Sequence, residues 1–244
     1  MKRSHLVLML ALLAGPAWAQ ANTAAFLAGS TTDCPGCDLS GVDLRGRDLK
    51  GADLSGAVLH GAFLHGATFA KATLDNADLG GANLNRADFK GASLVGANLT
   101  GALAFTADFS GAVLSGADLT GARLQQTRFS QARLDEAMLV GADLKRSVMA
   151  GANMKDADLT RANLAGVDLQ SANLSGATLT EAGFIQASLL ETKLRHANAQ
   201  NADFLGADMR YADLGGADLR GANMHHTRIE YGNFRGTKLG DLPH

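Results

Sequence analysis

The sequence predicts an all-β solenoid, square in cross-section, because three combs of residues run through it at a period of five. A large apolar residue recurs every fifth position, alanine recurs two positions before it, and glycine is frequent two positions after it. The large-residue comb starts at Leu39 and continues through Leu44, Leu49, Leu54 and Leu59 to Leu239 without slippage, 41 positions in all. Each is Leu, Phe, Met or Ile except Ala104 and Ala199, and alanine fills 31 of the 41 positions two before. Asp or Asn is frequent immediately before the large residue, so the consensus is A-(D/N)-L-x-G.

A period of five fits no regular element alone. An α-helix turns every 3.6 residues, so the comb would smear around it and each recurring Gly would cost about 1 kcal/mol. A flat strand alternates every two residues and would scatter the leucines over both faces. Collagen needs Gly at every third position. A chain that turns a corner every five residues satisfies the pattern, with the large residue and the preceding Ala both pointing inward. Four such sides close a coil of about 20 residues, and coils stack at roughly 4.8 Å.

The A-(D/N)-L-x-G comb from Leu39 to Leu239 resembles the pentapeptide-repeat proteins. That resemblance implies a right-handed quadrilateral β-helix of about ten coils, a fold that carries many roles. A second period, of 20, is visible as well. Phe69, Phe89, Phe109 and Phe129 are expected to form one column in the core, and Phe184 and Phe204 a shorter one on a neighbouring side. Ala104 precedes Phe109 in the comb and Ala199 precedes Phe204, where a smaller side chain would make room for a ring in the same coil.

The chain begins with a short basic stretch, Met1 to His5, then the apolar run Leu6 to Leu13, a Gly15-Pro16 break and Ala17-Trp18-Ala19. The run is too short to span a bilayer. Together these features predict an export signal over residues 1–19, cleaved between Ala19 and Gln20, the alternative being a buried N-terminal helix. The expected location is therefore the periplasm or the cell exterior. Cleavage removes Lys2 and Arg3 and no acid, taking the formal charge from −2 to about −4. So mild a charge argues against strong binding to DNA or to an anionic membrane.

Residues 20–38 are expected to form a cap, because an open solenoid end exposes apolar core and unpaired backbone. Thr23 to Ser30 predicts a helical turn or two whose Phe26 and Leu27 cover the first coil. Cys34 stands at a large-residue position and Cys37 at an Ala position, so both should face the core, and export favours their oxidation to a structural disulfide. The competing reading is a thiol-exchange site, since C-x-x-C has the redox spacing, but no helix follows to lower the first thiol's pKa. At the other end, Met224, Ile229, Phe234 and Leu239 form a last coil followed only by the short tail 240–244. Its apolar edge suggests end-to-end homodimerisation; the alternative is that Thr227, Gly232, Thr237 and Leu242 blunt it.

Function must be written on the outward positions. His60, His65, His196, His225, His226 and His244 show no metal-ligand spacing, so no metal and no cofactor is expected. Nucleophile elbows, P-loops and dinucleotide fingerprints are absent, and no enzyme activity is predicted. Two bands depart from consensus. Arg123, Gln125, Gln126, Arg128, Gln131 and Arg133 form a basic belt or neutral drift. Ile185, Leu190 and Leu205 form a candidate protein-binding patch, with Val95 and Phe105 a weaker one. The reading is an exported scaffold or protein-interaction module whose partner the sequence does not name. The alternative comes from members of the resembled family that mimic DNA and protect gyrase. That role needs acids lining the rod, yet the Asp columns are broken at Val58, Asn98, Arg128, Met138, Thr178 and Asn198.

Overall fold

A computed structural model describes residues 17–240 of the chain. The predicted export signal lies for the most part outside the described residues, as do residues 241–244. The residue before each large one pairs in parallel with the residue twenty further on, from Asp38↔Val58 to Asp218↔Lys238. Twenty residues therefore make one coil of four sides. Side 1 runs through Leu39, Leu59 and every twentieth residue after, side 2 through Leu44, side 3 through Leu49 and side 4 through Leu54.

One repeat shows how the backbone is satisfied. Val58 N–H donates to Cys37 O in the preceding coil at 2.8 Å. Leu59 and Gly61 donate to Asp78 O and Gly80 O in the following coil, at 2.6 and 2.8 Å. Ala62 N–H closes the corner on Leu59 O at 3.0 Å. The fifth N–H, after the large residue, finds the preceding Asp or Asn in many repeats: Ser40 N–H donates to Asp38 Oδ1, Lys90 to Asp88 and Thr120 to Asp118, at 2.9–3.0 Å. This accounts for the acid or amide in the consensus, since a buried or half-buried N–H left unpaired is costly. The corner residue has φ near +60°, as at Gly61 (φ +62), and glycine enters that region without a Cβ penalty.

The core is the two inward combs. The leucines and alanines of these combs from Leu49 to Leu219 are almost wholly buried. The Phe69, Phe89, Phe109 and Phe129 rings stack at centroid separations of 4.8, 4.7 and 4.9 Å, within 5° of parallel. Phe184 and Phe204 stack at 5.0 Å. Ala104 and Ala199 are buried in the coils of Phe109 and Phe204. Where threonine replaces the inward alanine its hydroxyl is paired: Thr127 Oγ1 donates to Leu124 O at 2.6 Å and Thr192 Oγ1 to Leu169 O at 2.8 Å. Buried Ser147 Oγ has no partner among the described residues.

The N-terminal end is closed by helix α1, Ala17–Leu27. Phe26 is fully buried on the first coil. The Arg47 guanidinium, standing at an alanine position, lies 4.3 Å from the Phe26 ring centroid and also donates to Phe26 O. Leu27 does not join the cap: it is 49% exposed. Neighbouring helical residues point about 100° apart, so only one of the pair can face the coil. Cys34 and Cys37 are joined in a disulfide and are fully buried. Backbone pairing already starts there, with Cys34 N–H on Asp53 O and Gly36 N–H on Ser55 O, both 2.8 Å. At the opposite end Met224 and Phe234 are partly buried against the core while Ile229 and Leu239 are exposed. The N–H groups of Met224, Ile229 and Phe234, which in inner coils would donate onward, find no acceptor among the described residues.

Candidate interaction face

Outward side chains come from the positions flanking each large residue, and on side 2 several of them are apolar. Phe63, Phe105, Ile185 and Leu205 are exposed there, and Leu103 is half-buried beside Phe105. Ile185 and Leu205 lie in neighbouring coils directly outside the stacked Phe184 and Phe204. Gly183, on the same side, leaves open space next to Ile185, since a Cβ built on it would meet nothing within 4 Å. Leu190 belongs to side 3, around the corner, and is half-buried. The patch read from the sequence is thus a pair on one side with a third member on the next. Val95 stands apart on side 4.

The basic belt is divided in the same way. Arg123 is on side 2, Arg128 on side 3 and Arg133 on side 4, where it approaches Asp135 at 3.5 Å. The acids are engaged locally. Arg220 lies 2.6 Å from Asp218 and holds its carboxyl well below the usual carboxylate range, and Arg210, 2.7 Å from Asp208, lowers that carboxyl as well. Lys90 reaches Asp108 at 3.3 Å and Asp88 at 3.6 Å, and the ammonium is stabilised by both. The column Asp88, Asp108, Arg128 is contiguous by its bridges, so the run of acids ends after two coils.

One further feature is not among those read from the sequence. Tyr211 and Tyr231 stack at 4.9 Å on the corner after side 3, with Tyr231 79% exposed. A reading of the corner position at period 20 would have found them. His60 Nδ1 stands 3.5 Å from Asp78 Oδ2. No group of three or more His, Cys, Asp or Glu poised to hold a metal occurs among the described residues. No helix among them is long and apolar enough to cross a membrane.

Comparison with known proteins agrees with the repeat geometry. The pentapeptide-repeat family matches in 8 copies, over residues 37–76, 69–103, 107–131, 127–166, 157–194, 187–225 and 202–241. The chain belongs to that family, and its fold is the right-handed quadrilateral β-helix. None of the curated proteins compared with it matches. Among solved structures it is similar to HetL of Nostoc sp. strain PCC 7120, a pentapeptide repeat protein involved in heterocyst differentiation regulation. The identity is 28% over 91% of this chain and 97% of that one, with a TM-score of 0.35. A pentapeptide repeat protein of the Arabidopsis thaliana thylakoid lumen is 33% identical over 37% of this chain and 63% of its own, with a TM-score of 0.37. QnrB1, a plasmid-mediated fluoroquinolone resistance protein, is 17% identical over 71% and 91%, with a TM-score of 0.42. These superpositions are loose, so the family assignment rests on the repeats.

Proposed function

We propose that the protein is an exported, non-enzymatic scaffold that docks a partner protein through side 2, with Ile185 and Leu205 at the contact and Leu190 at its rim. The observation that carries this reading is the placing of Phe63, Phe105, Ile185 and Leu205 along one side of the rod. Exposed apolar side chains gathered on one face favour a protein contact. Photo-crosslinking from position 185 or 205 in the native compartment tests it. A discrete adduct, absent when the crosslinker sits at Ser115 on side 4, supports the reading; equal labelling from both sides overturns it.

Export is the second part of the proposal, supported by the residue pattern of positions 1–19. Fractionation with N-terminal sequencing should find a chain that begins at Gln20, outside the cytoplasm. Retention of Met1 in the cytoplasm would refute export and make gyrase protection the function to test. The open C-terminal coil, with Met224, Ile229, Phe234 and Leu239 at its edge, is proposed to pair with a second copy end to end. A compact monomer in light scattering at high concentration disposes of that contact.

A further inference from the structure

Side 2 and the corner that follows it line an open recess of about 490 Å³ that runs from the coil of Asn85 to that of Lys145, two coils short of Ile185. Its apolar wall is Leu103 and Phe105, the latter 42% exposed. Three cations border it: Arg123 and Lys145 on the side, and Arg146 on the corner. Gln125 contributes an amide. None of the three cations forms an ion pair among the described residues, whereas Arg161, Arg210 and Arg220 each hold a carboxylate within 2.7 Å. The nearest acid by register is Asp143, the bridge partner of Arg123 one coil on. Its carboxylate is already occupied, accepting from Gln125 Nε2 at 2.7 Å, Asn163 Nδ2 at 3.1 Å and Lys145 backbone N–H at 3.2 Å.

Several departures from the repeat meet at this place. Leu103 and Arg123 stand where Asp or Asn is usual; Phe105 lies in the coil of Leu103, and Lys145 in the coil after Arg123. At the adjoining corner Arg86, Thr106, Gln126 and Arg146 hold left-handed φ values of 56–60° in four successive coils, between Gly66 and Gly166.

We propose that this recess binds a small organic anion, with a flat apolar body against Phe105 and Leu103 and carboxylate or phosphate oxygens on Arg123, Lys145 and Arg146. Its volume falls in the range of small-molecule sites, about 300–1,000 Å³. Guanidinium groups suit the planar, two-oxygen edge of such anions, and the three cations outnumber the single carboxylate beside them by register, Asp143. The site requires no protein partner; it shares Phe105 with the side 2 face but includes neither Ile185 nor Leu205.

The test is calorimetric titration with three probes: naphthalene-2,6-dicarboxylate, the neutral naphthalene-2,6-dimethanol of like shape, and the non-aromatic dianion succinate. The aromatic dianion should bind at least about tenfold more tightly than either of the others, and weaken between about 0.05 and 0.5 M salt. The double variant Arg123→Gln/Arg146→Gln and the variant Phe105→Ser, checked for folding by circular dichroism, should each lose about tenfold. Ile185→Ser should bind as the unaltered protein does, whether or not position 185 docks a partner. Equal binding of the neutral probe, indifference to the recess substitutions, or no binding of the dianion overturns the proposal. The probe comparison on the unaltered protein decides the matter even where a variant fails to fold.

Discussion

Replacing Phe109 by leucine probes the aromatic column without opening a large cavity. The ring is fully buried, with Phe89 4.7 Å on one side and Phe129 4.9 Å on the other. Leucine is the usual occupant of the comb and keeps most of the buried apolar area, so the loss is chiefly that of two ring contacts. Each such contact contributes about 0.5–1.5 kcal/mol beyond burial, which puts the cost of Phe109→Leu at about 1–3 kcal/mol. Phe69 ends the column and has one ring neighbour, at 4.8 Å. Phe69→Leu should therefore cost about half as much, about 0.5–1.5 kcal/mol. Phe109→Ala adds the cavity and should reach about 3–5 kcal/mol. Guanidinium unfolding followed by circular dichroism gives the comparison, with amide exchange around coils 69–129 to localise it, since repeat arrays open segmentally. Equal destabilisation by Phe109→Leu and Phe69→Leu would refute the pairwise account of the column.

Three other outcomes are expected. Ser147→Ala should stabilise the protein by about 1 kcal/mol, because the buried hydroxyl has no partner among the described residues; Thr127→Ala, which removes a paired hydroxyl, should not, and thermal unfolding separates the two. Cys34→Ser/Cys37→Ser should loosen the N-terminal end by about 2 kcal/mol for so short a loop, seen as faster exchange in α1 and the first coil with the central coils unchanged. Asp218 and Asp208, whose carboxyl pKa values are lowered by Arg220 and Arg210, contribute their full stabilisation above about pH 5, and it is lost as pH falls through their depressed folded values. Carboxyl carbon shifts in an acid titration should show both still ionised below the ordinary range, and Arg220→Gln should return Asp218 towards it.

The period of five was enough to read the coil, the inward combs and both phenylalanine columns, because a strict repeat leaves each residue one place to go. The cysteines were legible for the same reason: counting back from Leu39 put both in the core, where they are. The cap was only half legible. Phe26 faces the coil as expected, but the comb does not extend into α1, so nothing in the repeat set which way the helix is rotated, and Leu27 turns to solvent. Arg47 shows the same limit, since its place at an alanine position makes sense only beside the Phe26 ring. The recess is not legible along the chain, because its walls come from successive coils. The spacing puts Arg123, Arg128 and Arg133 on three successive sides of one coil, where they lie, but Arg123 meets the recess between Phe105 and Lys145, from the coils above and below.

The twenty-residue register makes the rod behave like a clock whose hand advances a quarter turn with every repeat. Removing one coil, twenty residues, between Gly151 and Gly176 would shorten it and leave every later residue at the same hour. Removing a single repeat there would preserve the comb and the corners, yet rotate everything downstream by a quarter turn. Ile185 and Leu205 would then no longer share a side with Phe105 and Arg123. In such a protein the number of repeats separating two surface features matters as much as the residues that compose them.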